Sequence, residues 1–258
     1  MKLDLDQKGQ QIAADPTTKE LANSCKGRCV DVTPDGKLVA VGFRDGGFRI
    51  YETSQWKMVA KKKVDNQEIS DVKFSPDRQY LAVSSHSRKI VVYILPKLEV
   101  KCTLKASTSA VMHLSWSQDS RGLITNDKSY EVLYYNVDAG QQDKGGLNTF
   151  RDEHWHTWTL PLGWPVQGIW TNDIDGSDIN SVDRSNQPHE DGYFLVARAD
   201  DFSKVQLYRY PSSIAESKCL VGRGHSSHVT KVKFSPSDEY LFSAGGNDTC
   251  IFQWKITK

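Results

Sequence analysis

Short runs in which every second residue is apolar recur along this chain, separated by polar turns of a few residues. The pattern is plainest over residues 69–93. Ile69-Ser70-Asp71-Val72-Lys73-Phe74 alternates, Ser75-Pro76-Asp77-Arg78 turns, Tyr80-Leu81-Ala82-Val83-Ser84 resumes, and Lys89-Ile90-Val91-Val92-Tyr93 ends on an aromatic residue. A period of two predicts strands with one side chain buried and the next exposed.

The same order returns five times. In the first repeat, strands are predicted over residues 29–32, 37–42 and 48–51. Thr33-Pro34-Asp35-Gly36 and Arg44-Asp45-Gly46-Gly47 are its turns, and an outer strand begins at Trp56. Pro76 follows Pro34 by 42 positions, and Gln118, at the same place in the third repeat, follows by another 42. The fourth repeat is stretched. It is rich in tryptophan (Trp155, Trp158, Trp164, Trp170), with a first strand predicted over 167–170, a polar loop over 171–191, and strands over 193–197 and 204–208. The fifth runs from Gly224-His225 through Ser235-Pro236 to Trp254.

A repeat of this length and order is the signature of a β-propeller blade. The expected fold is therefore all-β: a WD-repeat-type propeller with about five recognisable four-stranded blades over 29–66, 67–108, 109–150, 151–222 and 223–258. Residues 1–28 read either as the end of a preceding blade or as an outer strand that closes a five-bladed ring on the last repeat. The first reading makes the chain part of a larger tandem propeller.

The aromatic ending the third strand is expected to fill the gap between blades. It lies six positions after a turn residue in four repeats: Asp45 to Tyr51, Ser87 to Tyr93, Ser129 to Tyr135, Asp248 to Trp254. Asp201 to Tyr208 is seven, which predicts a bulge. The turn aspartate is expected to accept from backbone N–H groups and from a nearby histidine, so His225, Asp248 and Trp254 form a candidate buried network. His225 could instead serve as a catalytic base, but neither a Gly-x-Ser-x-Gly elbow nor a phosphate-cradling glycine loop accompanies it. No catalytic residue is assigned.

Charge narrows the partners. The 33 basic residues nearly balance the 32 acidic ones, which gives no global reason to expect nucleic acid or a membrane surface. No apolar run approaches membrane-spanning length, and the first residues carry no apolar signal core. Five cysteines, an odd count without regular spacing, fit buried free thiols in a reducing cytoplasm. Cys25 and Cys29 would need two further ligands to hold zinc. No cofactor and no metal are expected.

Three further stretches invite two readings each. The acidic loop over 172–178 suggests calcium, or a turn held by its aspartates; it lacks the EF-hand spacing. His154-Trp155-His156 offers two imidazoles to a metal, or core and interface aromatics. Lys57, Lys61, Lys62 and Lys63, followed by Lys97, Lys101 and Lys105, fall on or after predicted outer strands. They either guard a sheet edge or form a basic rim for an acidic partner.

The later motifs are more specific. Tyr130-Glu131-Val132-Leu133-Tyr134-Tyr135, Trp155-His156-Thr157-Trp158-Thr159-Leu160-Pro161-Leu162-Gly163, Gly168-Ile169-Trp170 and Asp175-Gly176-Ser177-Asp178-Ile179-Asn180-Ser181-Val182-Asp183-Arg184-Ser185 come in that order. Ala199-Asp200-Asp201-Phe202-Ser203-Lys204-Val205, Arg209-Tyr210-Pro211 and Gly224-His225-Ser226-Ser227-His228-Val229-Thr230 follow. Together they resemble the C-terminal WD-repeat propeller region of the echinoderm microtubule-associated protein-like family, over nearly the whole chain. No repeat carries the Trp-Asp dipeptide itself, and Ala244 stands where the family's blade carries a hydroxyl, which implies a network one member short.

The resemblance implies a non-catalytic scaffold in the cytoplasm and at the cytoskeleton, binding tubulin or microtubules, with further blades and an N-terminal coiled coil in a longer chain. A WD-repeat adaptor in another cytoplasmic or ciliary complex is the alternative. The candidate partner-binding residues are Lys57, Lys61, Lys62, Lys63, Trp155, Trp158, Asp178, Asn180, Asp183, Arg184, Asp200 and Asp201.

Overall fold

The structure, a computed structural model, describes residues 26–151, 153–172, 174–189 and 191–257. The expectations for a closing strand before residue 26 and for Cys25 fall outside that range. The fold is an all-β propeller type, and the described chain divides into two compact units, one up to His156 and one from Thr157.

The first unit holds three antiparallel blades of four strands each, consecutive in sequence. Blade 1 contains β1 (Gly27–Val32), β2 (Leu38–Phe43), β3 (Gly47–Glu52) and β4 (Lys57–Lys63). Blade 2 contains β5 (Ile69–Phe74), β6 (Tyr80–Ser85), β7 (Lys89–Ile94) and β8 (Glu99–Leu104). Blade 3 contains β9 (Val111–Trp116), β10 (Gly122–Asp127), β11 (Val132–Asn136) and the two-residue β12 (Gln141–Gln142), and a short helix α1 (Gly146–Thr149) follows.

The second unit opens with a 3-10 helix (Trp164–Ile169). Blade 4 follows with β13 (Ile179–Arg184), β14 (Phe194–Asp200), β15 (Lys204–Tyr210) and β16 (Leu220–Arg223). Blade 5 has three strands among the described residues, β17 (Val229–Phe234), β18 (Tyr240–Gly245) and β19 (Ile251–Lys255).

One hydroxyl closes the first turn of every blade. Thr33, Ser75, Ser117, Ser185 and Ser235 each accept, at 2.7–3.1 Å, from the backbone N–H at the start of the next strand. Gly36 in that turn has φ +71°, and Arg78, Ser120 and Asp238 adopt the same left-handed conformation at the equivalent place. Glycine takes it without steric cost; the others hold it against a penalty. Each of the three reaches back to the preceding blade. Arg78 donates to Asp35 at 2.7 Å, Ser120 accepts from the Asp77 N–H at 3.2 Å, and Asp238 accepts from the Asn186 N–H at 3.0 Å.

Every first strand also carries one extra residue opposite the second strand: Arg28, Ser70, Met112, Asn180 and Thr230. The core lies between blades. Ala40, Phe48 and Ile50 of blade 1 pack with Val72, Phe74 and Tyr93 of blade 2. Ala82, Ile90 and Val92 pack with Leu114, Trp116 and Tyr135, and in the second unit Ala197, Ala199 and Val205 pack with Val232, Phe234 and Trp254.

Two sequence expectations fail in blade 4. Residues 167–170 are not its first strand: 167–169 end the 3-10 helix, whose first turn holds Pro165, and Trp170 caps it. A side chain at Gly168 would strike the Ile214 carbonyl and the Ser212 and Ser217 hydroxyls. The first strand is β13, inside the predicted polar loop. Its inward positions include Ser181 and Asp183, whose work is polar, so its apolar alternation is weak. The predicted bulge before Tyr208 is absent, since β14 and β15 pair in unbroken register. The anchoring residue of that turn is Asp200, not Asp201. It accepts from Phe202 and Lys204, as Asp127 does from Ser129 and Glu131 in blade 3.

Candidate functional site

In blade 5 a chain of hydrogen bonds runs between strands. Trp254 Nε1 donates to Ser243 Oγ at 2.8 Å, Ser243 Oγ lies 2.8 Å from His225 Nε2, and His225 Nδ1 lies 2.7 Å from Asp248 Oδ2. One assignment satisfies every atom: Nδ1–H donates to the carboxylate, and the bare Nε2 accepts from the serine hydroxyl. Asp248 also accepts from the Ser226 and Cys250 N–H groups. Burial alone would raise its pKa, but these donors, His225 first, hold it below the usual carboxylate value. The network is not one member short, as Ala244 implied. Ser243, one position earlier, supplies the hydroxyl because its side chain, not that of Ala244, faces His225.

Serine, histidine and aspartate in sequence resemble a hydrolase triad, yet the chemistry is closed. Ser243 is 1% exposed, and its oxygen already accepts from Trp254. A substrate carbonyl cannot reach it.

A second polar system joins consecutive blades along their first strands. Asp31 accepts from the Phe74 N–H at 2.8 Å, Asp71 from the Leu114 N–H at 3.1 Å, and Asp183 from the Phe234 N–H at 2.8 Å. Ser181 accepts from Val232 in the same way. Lys73 lies between Asp31 and Asp71 at 3.8 and 3.7 Å, and Lys233 donates to Asp183 at 2.7 Å. Sequence reasoning did not assign Asp31, Asp71, Lys73 or Lys233. The available signal was a charged residue inside an otherwise apolar strand, as in Ser70-Asp71-Val72-Lys73-Phe74.

The plug aromatics differ in depth. Tyr93 and Tyr135 are buried, and burial pushes the Tyr135 hydroxyl up to about 12; Tyr51 is only half-buried. Asp45 accepts from the Gly47 N–H at 2.9 Å in its turn.

Four expected partner contacts are internal. Trp155 pairs with Ser117 and packs on Phe150, and Trp158 donates to the Leu160 carbonyl. Asp183 belongs to the ladder just described. Asp200, fully buried, forms an ion pair with Arg198 at 2.8 Å, and Arg198 also donates to the Ile169 carbonyl, tying the 3-10 helix to β14. Each is consumed by its own fold, so none can meet a partner.

Others do reach the surface. Asp178, Asn180 and exposed Asp201 share one corner: Asn180 donates to Asp201 at 2.6 Å, and the Asp201 N–H to the Asp178 carbonyl at 2.9 Å. The loop before them is a turn held by its aspartates, with Asp178 accepting from the Asp175 N–H and Asp175 from Ser177. Arg184 lies over the Phe194 and Tyr210 rings at 4.6 and 5.3 Å. His156 points its Nδ1 at Gln118, and no group of three potential metal ligands occurs among the described residues.

Lys57, Lys61 and Lys63 are exposed on β4, at the edge of blade 1, while Lys62 turns inward to donate to the Leu98 carbonyl and sits 5.0 Å from the Tyr93 ring. Phe43, Phe48, Asp45, Arg49, Lys61 and Lys63 line a cleft of about 290 Å³ beside that strand.

Comparison with known proteins places this architecture. A family model described as the echinoderm microtubule-associated protein second beta-propeller matches residues 10–256. Echinoderm microtubule-associated protein-like 3 of Mus musculus is 37% identical over 234 residues, covering 89% of this chain and 26% of that protein. The Homo sapiens protein-like 1 is 37% identical, covering 86% and 27%, and the Rattus norvegicus protein-like 2 is 39% identical, covering 86% and 34%. The chain thus spans about a quarter to a third of these relatives' length. A chain from a structure titled "Crystal Structure of Mitotic Checkpoint Complex" matches with a TM-score of 0.69 at 16% identity, covering 92% of this chain and 76% of that one; it speaks to the fold alone. With the blade repeat, its polar ladder and this match over nearly the whole length, the chain belongs to the echinoderm microtubule-associated protein-like family, in its second β-propeller region.

Proposed function

We propose that this chain is a non-catalytic propeller scaffold that binds tubulin or microtubule-associated partners at the cytoskeleton. The observation that carries the reading is the family match over residues 10–256, whose relatives bear the microtubule-associated name. The physical design agrees. Blades stiffened by buried hydrogen-bond networks present turns and outer strands on a rigid frame, which suits recognition of extended protein surfaces. The Ser243–His225–Asp248 arrangement is sealed and serves that stiffness. The exposed lysines of β4 and the Asp178–Asn180–Asp201 corner are the candidate contacts.

The test is retention of purified tubulin by the immobilised chain at low salt. Retention that saturates, with no turnover of ester or phosphoester substrates, is expected. Failure to retain tubulin at low salt would remove tubulin from the account.

A further inference from the structure

We infer that the free edge of β4 takes an extended acidic segment of a partner protein as an added antiparallel strand. The proposal deepens the scaffold reading and rests on it for the biological partner, though not for the binding chemistry.

The edge itself comes first. β4 is the outer strand of blade 1 and pairs only with β3 among the described residues. The Val64 N–H donates to the Gly46 carbonyl at 2.9 Å. With the register Lys63–Gly47, Lys62–Phe48, Lys61–Arg49, the main-chain groups of Lys62 therefore face β3, and those of Lys61 and Lys63 face outward. The ladder's irregularity lies nearer Val59, so residues 60–63 form a regular template.

Charge selects what can use it. Lys61 and Lys63 share one face of β4 and make no ion pair among the described residues, and both border the cleft beside Phe43 and Arg49. Another lysine-bearing edge is repelled. A strand carrying carboxylates at every second position would set two of them against Lys61 and Lys63 while its backbone fills the open ladder. Asp45, also on the cleft, holds its own turn through Gly47 and leaves the rim net basic.

The other outer strands lack this combination. Lys101 on β8 is already held by Asp138 and Tyr80, β12 has two residues, and β16 has four. β4, with seven, is the longest outer strand among the described residues.

The experiment measures binding of a fluorescent Glu-Val repeat peptide to the chain by anisotropy. Saturable binding is expected, weakened about tenfold between low and roughly 300 mM salt by screening. Lys61→Glu with Lys63→Glu should weaken it at least about tenfold. The charge-matched pair Lys97→Glu and Lys105→Glu should leave it within about twofold, which controls for fold and net charge. N-methylation of alternate peptide amides should abolish it. Binding indifferent to N-methylation, or equal binding of a Lys-Val peptide, would overturn strand addition. So would self-association of the chain that shuts the peptide out, since a second copy would then own the edge. Tubulin retained while the peptide stays unbound sinks this inference alone; peptide bound without tubulin sinks the tubulin reading alone.

Discussion

Ser243 is the residue on which blade 5 turns. It satisfies both His225 and Trp254 in a buried site, so Ser243→Ala orphans two polar atoms and should cost about 2–4 kcal/mol in urea unfolding. Ala244→Ser should change stability by less than about 0.5 kcal/mol, because the network is already complete. A clear gain from that substitution would show that Ser243 is not the working hydroxyl. Acid should act through the aspartates. Asp35 is lowered to about 2, first by Thr33, and hydrogen bonds lower Asp65, Asp119 and Asp248 against an opposing burial effect. Groups depressed in the folded state add stability that is fully present above the unfolded value, 3.8, and lost as pH falls through the folded ones. Melting temperature should therefore be insensitive to these groups above about pH 5 and fall steadily from about pH 4 towards pH 2. Asp35 and Asp45 were legible because Asp-Gly pairs announce turns, whereas Asp127 and Asp200 were missed in favour of Ser129 and Asp201 beside them. Ser243 was not legible, since facing is set by strand register and a shift of one residue exchanges it with Ala244.

At the scale of the element, blades 1, 2 and 3 were readable because apolar alternation and turn chemistry agree in them. β5 matches its predicted limits, residues 69–74. Blade 4 was not, because β13 ends on Arg184 where the other first strands end on Val32, Phe74, Trp116 and Phe234, while the tryptophan-rich stretch before it mimics a strand. That stretch is held by Arg198, which bridges Asp200 and the Ile169 carbonyl from a buried position. Arg198→Met should leave Asp200 buried and unpaired, costing about 3–5 kcal/mol. Hydrogen exchange should then quicken over Trp164–Ile169 more than over β17–β19. Uniform quickening would mean that the arginine is not a local tether. The blade contacts give a paired contrast. Val72 is fully buried and Val30, at the equivalent place in β1, is 57% exposed. Val72→Ala should cost about 1–3 kcal/mol and Val30→Ala less than about 0.5.

For the molecule as a whole, family membership gives the fold, and the proposed class of partner rests on it, while the sealed Ser243–His225–Asp248 network argues for contact rather than turnover. The sequence pointed to the basic outer strand but also to Trp155, Trp158, Asp183 and Asp200 as contacts. It could not separate a charge that meets solvent from one that meets another blade, because both occupy polar positions in an alternating strand. Burial makes that separation and leaves β4 with its exposed lysines as the basic surface to test. The most direct measurement is co-sedimentation of the chain with polymerised microtubules across a salt series, with Lys61→Glu/Lys63→Glu alongside. The account predicts that the chain pellets with microtubules at low salt, is released as salt rises, and that the double variant stays in the supernatant with an unchanged melting temperature. A chain that remains in the supernatant at every salt concentration would contradict it.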